Sequence, residues 1–182
     1  MKRIMCISGS PRKGNTNYLI KTIEKHLSNL NYYVKCVMLD ETHLEYCDGC
    51  LSCDNTGVCH IQDGMNDILE ELIKSDCIIF ATPTRWALMS ASLKNFIDRT
   101  NPLANGMRLM GKKAVLIAIG QCEGEEAIGI TKAIDSIKNY TDDAGIEVIS
   151  SFAIEGMLNP DDLSENDEVA NYICDKIELS IR

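Results

Sequence analysis

Apolar residues in this chain fall into short continuous runs that alternate with longer amphipathic segments. Five runs have the length and continuity of buried strands, and they cover residues 3–8, 32–39, 77–82, 113–120 and 146–155. Apolar residues recur at helical spacing around residues 15–29, 64–73, 89–99, 124–143 and 166–180. Near-continuous apolar strands that alternate with helices indicate a parallel sheet covered on both faces. We therefore predict one five-stranded α/β domain over residues 1–182.

The net charge and the absence of long apolar stretches limit which partners and which cellular location we expect for this chain. The formal net charge is −9, which disfavours nucleic acid and anionic membrane surfaces because their phosphates would be repelled. No stretch approaches the ~20 apolar residues that a membrane span requires. The apolar run behind the basic residues Lys2 and Arg3 stops at Ile7, too short for a signal-peptide core. We therefore expect a cytoplasmic protein, where clustered cysteines bind metal or do redox chemistry more often than they form disulfides.

The loop after the first predicted strand, SGSPRKGNTN (8–17), has the features of an anion site. It runs into a helix N-terminus, where free backbone N–H groups and the helix dipole favour negative charge. Hydroxyl, amide and cationic side chains add further donors: Ser8, Ser10, Arg12, Lys13, Asn15, Thr16 and Asn17. The stretch matches neither the dinucleotide GxGxxG pattern nor a Walker loop. It suits a monophosphate such as that of FMN bound without a metal ion, although a plain turn and helix cap would use the same residues.

Two further loops follow predicted strands and therefore lie at the same edge of the sheet. The loop ATPTRWALMS (81–90) offers Pro83, Trp86 and flanking backbone groups, which can supply an apolar face and polar edge for a flat ring. Taken alone, Trp86 is better explained by core packing. The loop GQCEGEE (120–126) can close the same pocket from the other side.

The stretch CDGCLSCDNTGVC carries four of the nine cysteines of the chain within thirteen residues: Cys47, Cys50, Cys53 and Cys59. Their gaps of two, two and five residues permit one loop to supply four ligands to one metal centre, and Gly49 and Gly57 allow the required turns. The bacterial ferredoxin run has a shorter last gap that ends in Cys-Pro. The spacing leaves three interpretations open, namely an iron–sulfur cluster, a structural zinc ion or unmetallated thiols. His43 and His60 could serve as spare ligands, but solvated histidines are the favoured interpretation.

The other five cysteines have different surroundings in the sequence. Cys6, Cys36 and Cys77 fall within predicted strands and Cys174 within the last predicted helix, which is typical of small core residues. Cys122 lies in the third loop, where a redox role is conceivable but a simple loop residue is the favoured interpretation.

Three segments together resemble the NADPH-dependent FMN reductase family. They are GSPRKGNTN after the first strand, the cysteine run followed by Asp63-Gly64-Met65, and TPTRWALMSASLKNFIDR. The combination resembles most closely its branch of iron–sulfur flavoproteins, and the similarity extends from residue 2 to about residue 126. It implies a flavodoxin-like three-layer sandwich with strand order 2-1-3-4-5, bound FMN, and a homodimer or homotetramer.

The resemblance also implies roles for individual residues. The phosphate loop would comprise Ser10, Arg12, Asn15, Thr16 and Asn17. The ring would lie against Pro83, Thr84, Arg85 and Trp86, with Met89 and Ser90 behind them and Gly120 and Gln121 on the third loop. The Cys-rich loop, residues 40–63, would hold a 4Fe-4S cluster through Cys47, Cys50, Cys53 and Cys59. The family often has an aromatic residue where this chain has Arg85, so a guanidinium here could stack on the ring, reach the FMN phosphate or point at the phosphates of an electron donor.

The implied activity is electron transfer between FMN and either NAD(P)H or another small-molecule or protein partner. FMN would accept a hydride or single electrons, the cluster would exchange single electrons with it, and no catalytic side chain is required. In the family arrangement the Cys-rich loop faces the flavin of a partner subunit. Two other functions fit parts of the sequence: a flavodoxin-like electron carrier without a substrate site, and a zinc-stabilised binding module without redox activity.

Overall fold

A computed structural model describes residues 1–182 and contains one parallel sheet between two layers of helices. The strands are β1 (Arg3–Ser8), β2 (Tyr33–Met38), β3 (Cys77–Pro83), β4 (Lys113–Ile119) and β5 (Glu147–Ile154). The helices are α1 (Asn15–Asn29), α2 (Cys53–Thr56), α3 (Met65–Lys74), α4 (Ala91–Asp98), α5 (Ile128–Asp143), α6 (Asp162–Glu165) and α7 (Asp167–Ile181). Single 3-10 turns cover Asn101–Leu103 and Gly124–Ala127.

The strand order is β2-β1-β3-β4-β5, with every neighbouring pair parallel. This flavodoxin-like order confirms the prediction. The central strands β3 and β4 are buried along almost their whole length, whereas β2 and β5 at the edges have partly exposed positions. The continuous apolar runs arise because helices cover both faces of the central strands.

Two apolar cores lie on opposite faces of the sheet. One packs α3, α4 and α5 against it, around Phe80, Phe96 and Ile137. The other packs α1 and α7 against it, around Ile20 and Ile177. No helix combines the length and apolar character that crossing a membrane requires.

The strand order reverses between β1 and β3, which are neighbours in the sheet although β2 lies between them in sequence. Loops that leave the carboxyl ends of β1 and β3 diverge there, and this is where α/β sheets of this type bind ligands. Ser90 fastens the two loops together: its side chain accepts a hydrogen bond from the backbone of Leu93 at the start of α4 and donates to the carbonyl of Gly9.

Candidate functional site

A cavity of about 310 Å³ opens at the carboxyl edge of the sheet. Loops after β1, β3, β4 and β5 form its walls. Most of the residues predicted to bind a cofactor line it, and they are Ser10, Arg12, Asn15, Thr16, Pro83, Thr84, Arg85, Trp86, Gly120 and Gln121. The three predicted loops therefore do meet at one place.

Three predicted residues lie behind the cavity wall. The hydroxyl of Ser8, fully buried, donates to the side-chain oxygen of Asn17, and Asn17 Nδ2 donates to Asp40 Oδ2 at 3.0 Å. Met89 is partly buried and packs against the core that contains α4 and α5. These side chains hold the loops in place and do not line the cavity.

The first turn of α1 is open to an anion. Its N-cap position is Gly14, no side chain caps it, and no acidic residue occurs in the first turn. The first backbone N–H groups of a helix have no intrahelical partner, and the helix dipole adds positive potential there. Arg12 contributes a cation at the cavity wall. This arrangement fits a phosphate group.

Gly9 allows the loop after β1 to pass close to α4. A Cβ atom at this position would lie 2.7 Å from Leu93 Cβ and 2.9 Å from Ser90 Oγ. The backbone N–H of Gly9 donates to the carbonyl of Ala81 at 2.7 Å, so the loop continues the sheet by one residue. The close packing fixes the path along which the loop enters the anion site.

The turn Arg85–Leu88 forms the rim of the cavity. The backbones of Arg85 and Leu88 hydrogen-bond to each other in both directions at 2.9 Å, and the central residues Trp86 and Ala87 have φ of 50° and 60°. These left-handed conformations are costly for residues with a Cβ. Trp86 is 98% exposed, so the core-packing interpretation of this residue is wrong.

The hydroxyl of Thr84 is buried at the cavity and has no hydrogen-bond partner. A buried hydroxyl without a partner is unfavourable, and a bound ligand with a polar edge would satisfy it. Gly120 lies beside this hydroxyl, because a Cβ at Gly120 would be 3.5 Å from Thr84 Oγ1. The residues present therefore fit a cofactor that combines a phosphate with a flat, polar-edged ring.

The loop after β5 contributes residues that the sequence interpretation missed. Met157, Asn159 and Pro160 line the cavity, and Asn15 Nδ2 donates to the carbonyl of Asn159 at 2.7 Å. The carboxyl-edge rule that identified the other three loops applies equally to β5 and could have indicated this one.

The Cys-rich loop lies between β2 and α3 and includes the short helix α2. Cys47 and Cys50 are exposed, Cys59 is half-buried, and Cys53 at the start of α2 is buried. All four thiols are free. Turns at positive φ shape the loop, at Gly49, Leu51 and Gly57.

The four sulfur atoms are spread apart. No three of them come within 4.8 Å of one another, and the tighter group in the loop is Cys50 with His60 and Asp48. Tetrahedral zinc holds each sulfur at about 2.3 Å and so requires sulfur–sulfur separations of about 4 Å or less. No three of the sulfur atoms have this spacing in the structure, while four thiols on one loop are the donor set that both a 4Fe-4S cluster and a structural zinc ion use.

Arg99 links Glu45 and Asp63, which lie on either side of the four cysteines of the Cys-rich loop. Its guanidinium donates to the carbonyl of Glu45 at 2.6 Å and to both carboxylate oxygens of Asp63 at 2.6 and 2.9 Å. The Arg99 side chain is completely buried. The hydrogen bonds from Arg99 hold the pKa of Asp63 below its ordinary value, and the carboxylate raises the pKa of Arg99.

Arg99 and the nearby Asn101 also contact two of the thiols. Arg99 Nη2 lies 3.6 Å from Cys59 Sγ, and Asn101 Nδ2 lies 3.2 Å from Cys53 Sγ. The sequence interpretation did not identify either residue. A charged residue at the end of a predicted helix ordinarily faces water, and only the tertiary structure places this one under the loop.

A second cavity, of about 500 Å³, lies beside the Cys-rich loop. It is lined by Cys47, Gly49 and Leu51 from the loop, by eight of the residues between Ile97 and Leu109, and by Tyr140, Asp143 and Ala144 at the end of α5. It shares no lining residue with the cavity at the carboxyl edge.

The cysteines outside the loop behave as the sequence predicts. Cys6, Cys77 and Cys174 are buried, and Cys36 packs partly buried against the same core. Burial raises the pKa of Cys77 to about 12 and that of Cys174 to about 11. These thiols stay protonated at neutral pH. Cys122 is exposed at the wall of the first cavity.

Known proteins resemble this chain in sequence and in fold. The family model for NADPH-dependent FMN reductase matches residues 2–130. An iron-sulfur flavoprotein of Methanocaldococcus jannaschii is 30% identical over 171 residues, which cover 93% of this chain and 80% of the relative. An iron-sulfur flavoprotein of Archaeoglobus fulgidus is 27% identical over 179 residues, covering 97% of this chain and 80% of the relative. The solved NAD(P)H:quinone oxidoreductase from Methanothermobacter marburgensis superposes with a TM-score of 0.72 at 16% identity, covering 97% of each chain.

Proposed function

The chain belongs to the NADPH-dependent FMN reductase family and is an FMN-dependent oxidoreductase; we propose that it is an iron–sulfur flavoprotein. In this proposal FMN occupies the 310 Å³ cavity, and Cys47, Cys50, Cys53 and Cys59 bind a 4Fe-4S cluster. The proposal is supported most directly by the four free thiols on one anchored loop, two of which accept N–H groups from residues outside that loop.

The residues of the first cavity have distinct tasks in this proposal. The open first turn of α1 and Arg12 bind the phosphate of FMN, while the Pro83–Ala87 turn and the Gly120 loop enclose the ring. The buried hydroxyl of Thr84 hydrogen-bonds to the polar edge of the ring. Bound FMN supplies hydride and single-electron chemistry, and the protein positions the ring and excludes water around it.

We propose NAD(P)H as the electron donor, with a small molecule or a protein as the acceptor. Arg85 lies exposed on the cavity rim, where its guanidinium can bind the phosphates of a nicotinamide donor. A carrier without a substrate site would not be reduced directly by a nicotinamide. Stopped-flow mixing of the FMN-loaded protein with NADPH and with NADH distinguishes a reductase from a pure electron carrier. A pure carrier gives no rapid bleaching of the flavin absorbance.

The proposed assembly is a homodimer or homotetramer in which the Cys-rich loop faces the flavin cavity of a partner subunit. The separation of the two cavities supports it, because no residue of the Cys-rich loop lines the flavin cavity of its own chain. Sedimentation equilibrium of the loaded protein measures the assembly, and a monomer would overturn this part of the proposal.

The experiment that tests the cluster is anaerobic purification and reconstitution, followed by analysis for iron, sulfide and zinc. We expect about four irons and four sulfides per chain, the content of a cubane held by four cysteines. Cys50→Ala should remove the iron and leave FMN bound. Cys122→Ala, which removes an exposed thiol outside the loop, should retain the iron. Stoichiometric zinc in place of iron would support the zinc-binding alternative.

A further inference from the structure

Two side chains outside the Cys-rich loop donate N–H groups to its sulfur atoms. Arg99 Nη2 is 3.6 Å from Cys59 Sγ, and Asn101 Nδ2 is 3.2 Å from Cys53 Sγ. Both donors come from the end of α4 and the turn that follows it. They lie about forty residues or more beyond the cysteines that they contact, so the contacts are tertiary and do not result from local loop geometry.

Arg99 is held rigidly in this position. Nη1 donates to the carbonyl of Glu45 and to Asp63 Oδ2, and Nη2 donates to Asp63 Oδ1. The two Nη atoms of Arg99 already bind both carboxylate oxygens of Asp63. The additional contact of Nη2 with Cys59 Sγ is therefore not needed for the Arg99–Asp63 ion pair. Arg99 Nε is buried without a partner, which shows that the orientation is set by the Nη contacts.

Asn105 is a natural control for Asn101, because both asparagines bind the same short helix α2. Asn101 contacts Cys53 Sγ and also Asp54 Oδ1 at 2.9 Å, whereas Asn105 donates to the carbonyl of Asp54 at 2.6 Å and contacts no sulfur. Both asparagines therefore fasten α2, but one of them alone reaches a proposed ligand.

Resting on the proposed function, we propose that Arg99 and Asn101 are positioning residues that raise the reduction potential of the cluster. Reduction adds negative charge that is shared with the ligand sulfurs, and hydrogen bonds to sulfur are one of the factors that set cluster potentials. Donors bind a more negative acceptor more strongly. The Arg99 cation and the Asn101 amide therefore stabilise the reduced form more than the oxidised form.

The proposal predicts that substitutions at Arg99 and Asn101 shift the reduction potential in one direction and that a substitution at Asp63 shifts it in the other. Asn101→Ala and Arg99→Lys remove a donor from sulfur and should lower the potential. Asp63→Asn removes the carboxylate that offsets the Arg99 charge and should raise it. A purely structural role for these residues would not produce shifts of opposite sign. Asn105→Ala and Lys94→Gln, which removes an exposed cation from the same helix, should leave the potential unchanged.

The test is a potentiometric titration of the full-length, anaerobically reconstituted protein, monitored by electron paramagnetic resonance. For Asn101→Ala and Arg99→Lys we expect at least a tenfold fall in the ratio of reduced to oxidised cluster at fixed ambient potential, or ~59 mV for a one-electron couple. Iron content is measured on each sample. If Arg99→Lys fails to fold, Asn101→Ala decides, since Asn101 takes no part in the buried ion pair.

The outcomes separate this inference from the function on which it rests. A cluster of full iron content whose potential is the same in Asn101→Ala and the wild type overturns the inference and leaves the proposed function intact. A wild-type chain that takes up no iron and sulfide overturns the cluster and this inference together. A lowered potential in both donor variants with unchanged controls supports the assignment.

Discussion

Arg99 and Asp63 form a bidentate ion pair under the Cys-rich loop, with N–O distances of 2.6 and 2.9 Å and side-chain exposures of 0% and 8%. The pair joins the end of α4 to the segment that leads into α3, and Asp63 also accepts the backbone N–H of Glu45 at 2.8 Å. One buried ion pair thus holds in place the chain segments before and after the four cysteines, in a loop that contains no β-strand.

We expect Asp63→Asn to destabilise the metal-free protein by about 3 kcal/mol, because it leaves the buried Arg99 cation without its counter-charge. Urea unfolding of the reduced, metal-free chain measures the loss. Glu70→Gln is the matched control: it removes a carboxylate from an exposed ion pair with Lys74, and it should cost no more than ~0.5 kcal/mol. Equal losses in the two variants would contradict the role assigned to the buried pair.

The stability contributed by Asp63 should depend on pH. Its pKa in the folded protein lies below the ordinary value of 3.8, mainly because Arg99 donates hydrogen bonds to it. The unfolded chain therefore binds the proton more readily, so the contribution is complete above pH 3.8 and is lost as the pH falls through the lower folded-state pKa. The difference in unfolding free energy between wild type and Asp63→Asn should shrink in acid. A difference that stays constant down to about pH 2 would refute this.

Thr84→Val should separate stability from cofactor affinity. In the free protein the variant removes a buried hydroxyl that has no partner, so the unfolding free energy should stay equal or rise slightly. The FMN dissociation constant should rise about tenfold, since one hydrogen bond of ~1.4 kcal/mol is lost. Isothermal titration of the apoprotein with FMN gives the value. Thr22→Val, whose hydroxyl bonds to Tyr18 on α1 away from the cavity, should leave the affinity unaltered.

Gly9 and Gly14 flank the anion loop but should tolerate a methyl group very differently. At Gly9 the new Cβ would meet Leu93 Cβ at 2.7 Å, and relieving that overlap should cost about 1–3 kcal/mol. At Gly14 the nearest atom is 3.5 Å away and the backbone is extended, so Gly14→Ala should change stability little. Thermal unfolding of the two variants side by side makes the comparison, and a larger loss at Gly14 would show that the packing argument is wrong.

Arg85→Gln should weaken binding of the electron donor more than binding of FMN. The side chain is exposed on the cavity rim and makes no ion pair, so its charge is available to donor phosphates. We expect the KM for NADPH to rise about tenfold, with kcat nearly unchanged, as for the loss of one charge-assisted contact. Lys138→Gln, an exposed charge midway along α5, serves as the control. A rise in the FMN dissociation constant with an unchanged KM would instead place Arg85 on the cofactor.

Much of the fold could be predicted from local sequence pattern, and the reasons are visible in particular elements. The continuous apolar run of β3 is buried by helices on both sides, so its composition alone identifies it. The apolar spacing predicts that α4 begins near residue 89, two residues before its observed start at Ala91, because the turn Arg85–Leu88 and the Ser90 cap lie where that spacing already begins. Element ends depend on such caps and turns more than on periodicity.

Position at the carboxyl edge of the sheet predicts most of the cavity lining, but we miss the loop after β5, to which the same rule applies, and we miss residues whose place depends on pairing across the chain. The loops after β1, β3 and β4 were found by that rule. Arg99 was not, because a buried arginine becomes favourable only through a partner such as Asp63, 36 residues away in sequence. No property of the residues around Arg99 indicates which carboxylate it will meet.

The left-handed turn on the cavity rim places an intrinsic fluorophore at the cavity. Trp86 is the only tryptophan in the chain, and it stands at the tip of that turn, 98% exposed. Its indole emission in the free protein should therefore be that of a residue in water. A flavin or a nicotinamide that enters the cavity comes to rest beside the only indole in the molecule, so quenching of this emission reports occupancy of the cavity without any attached label.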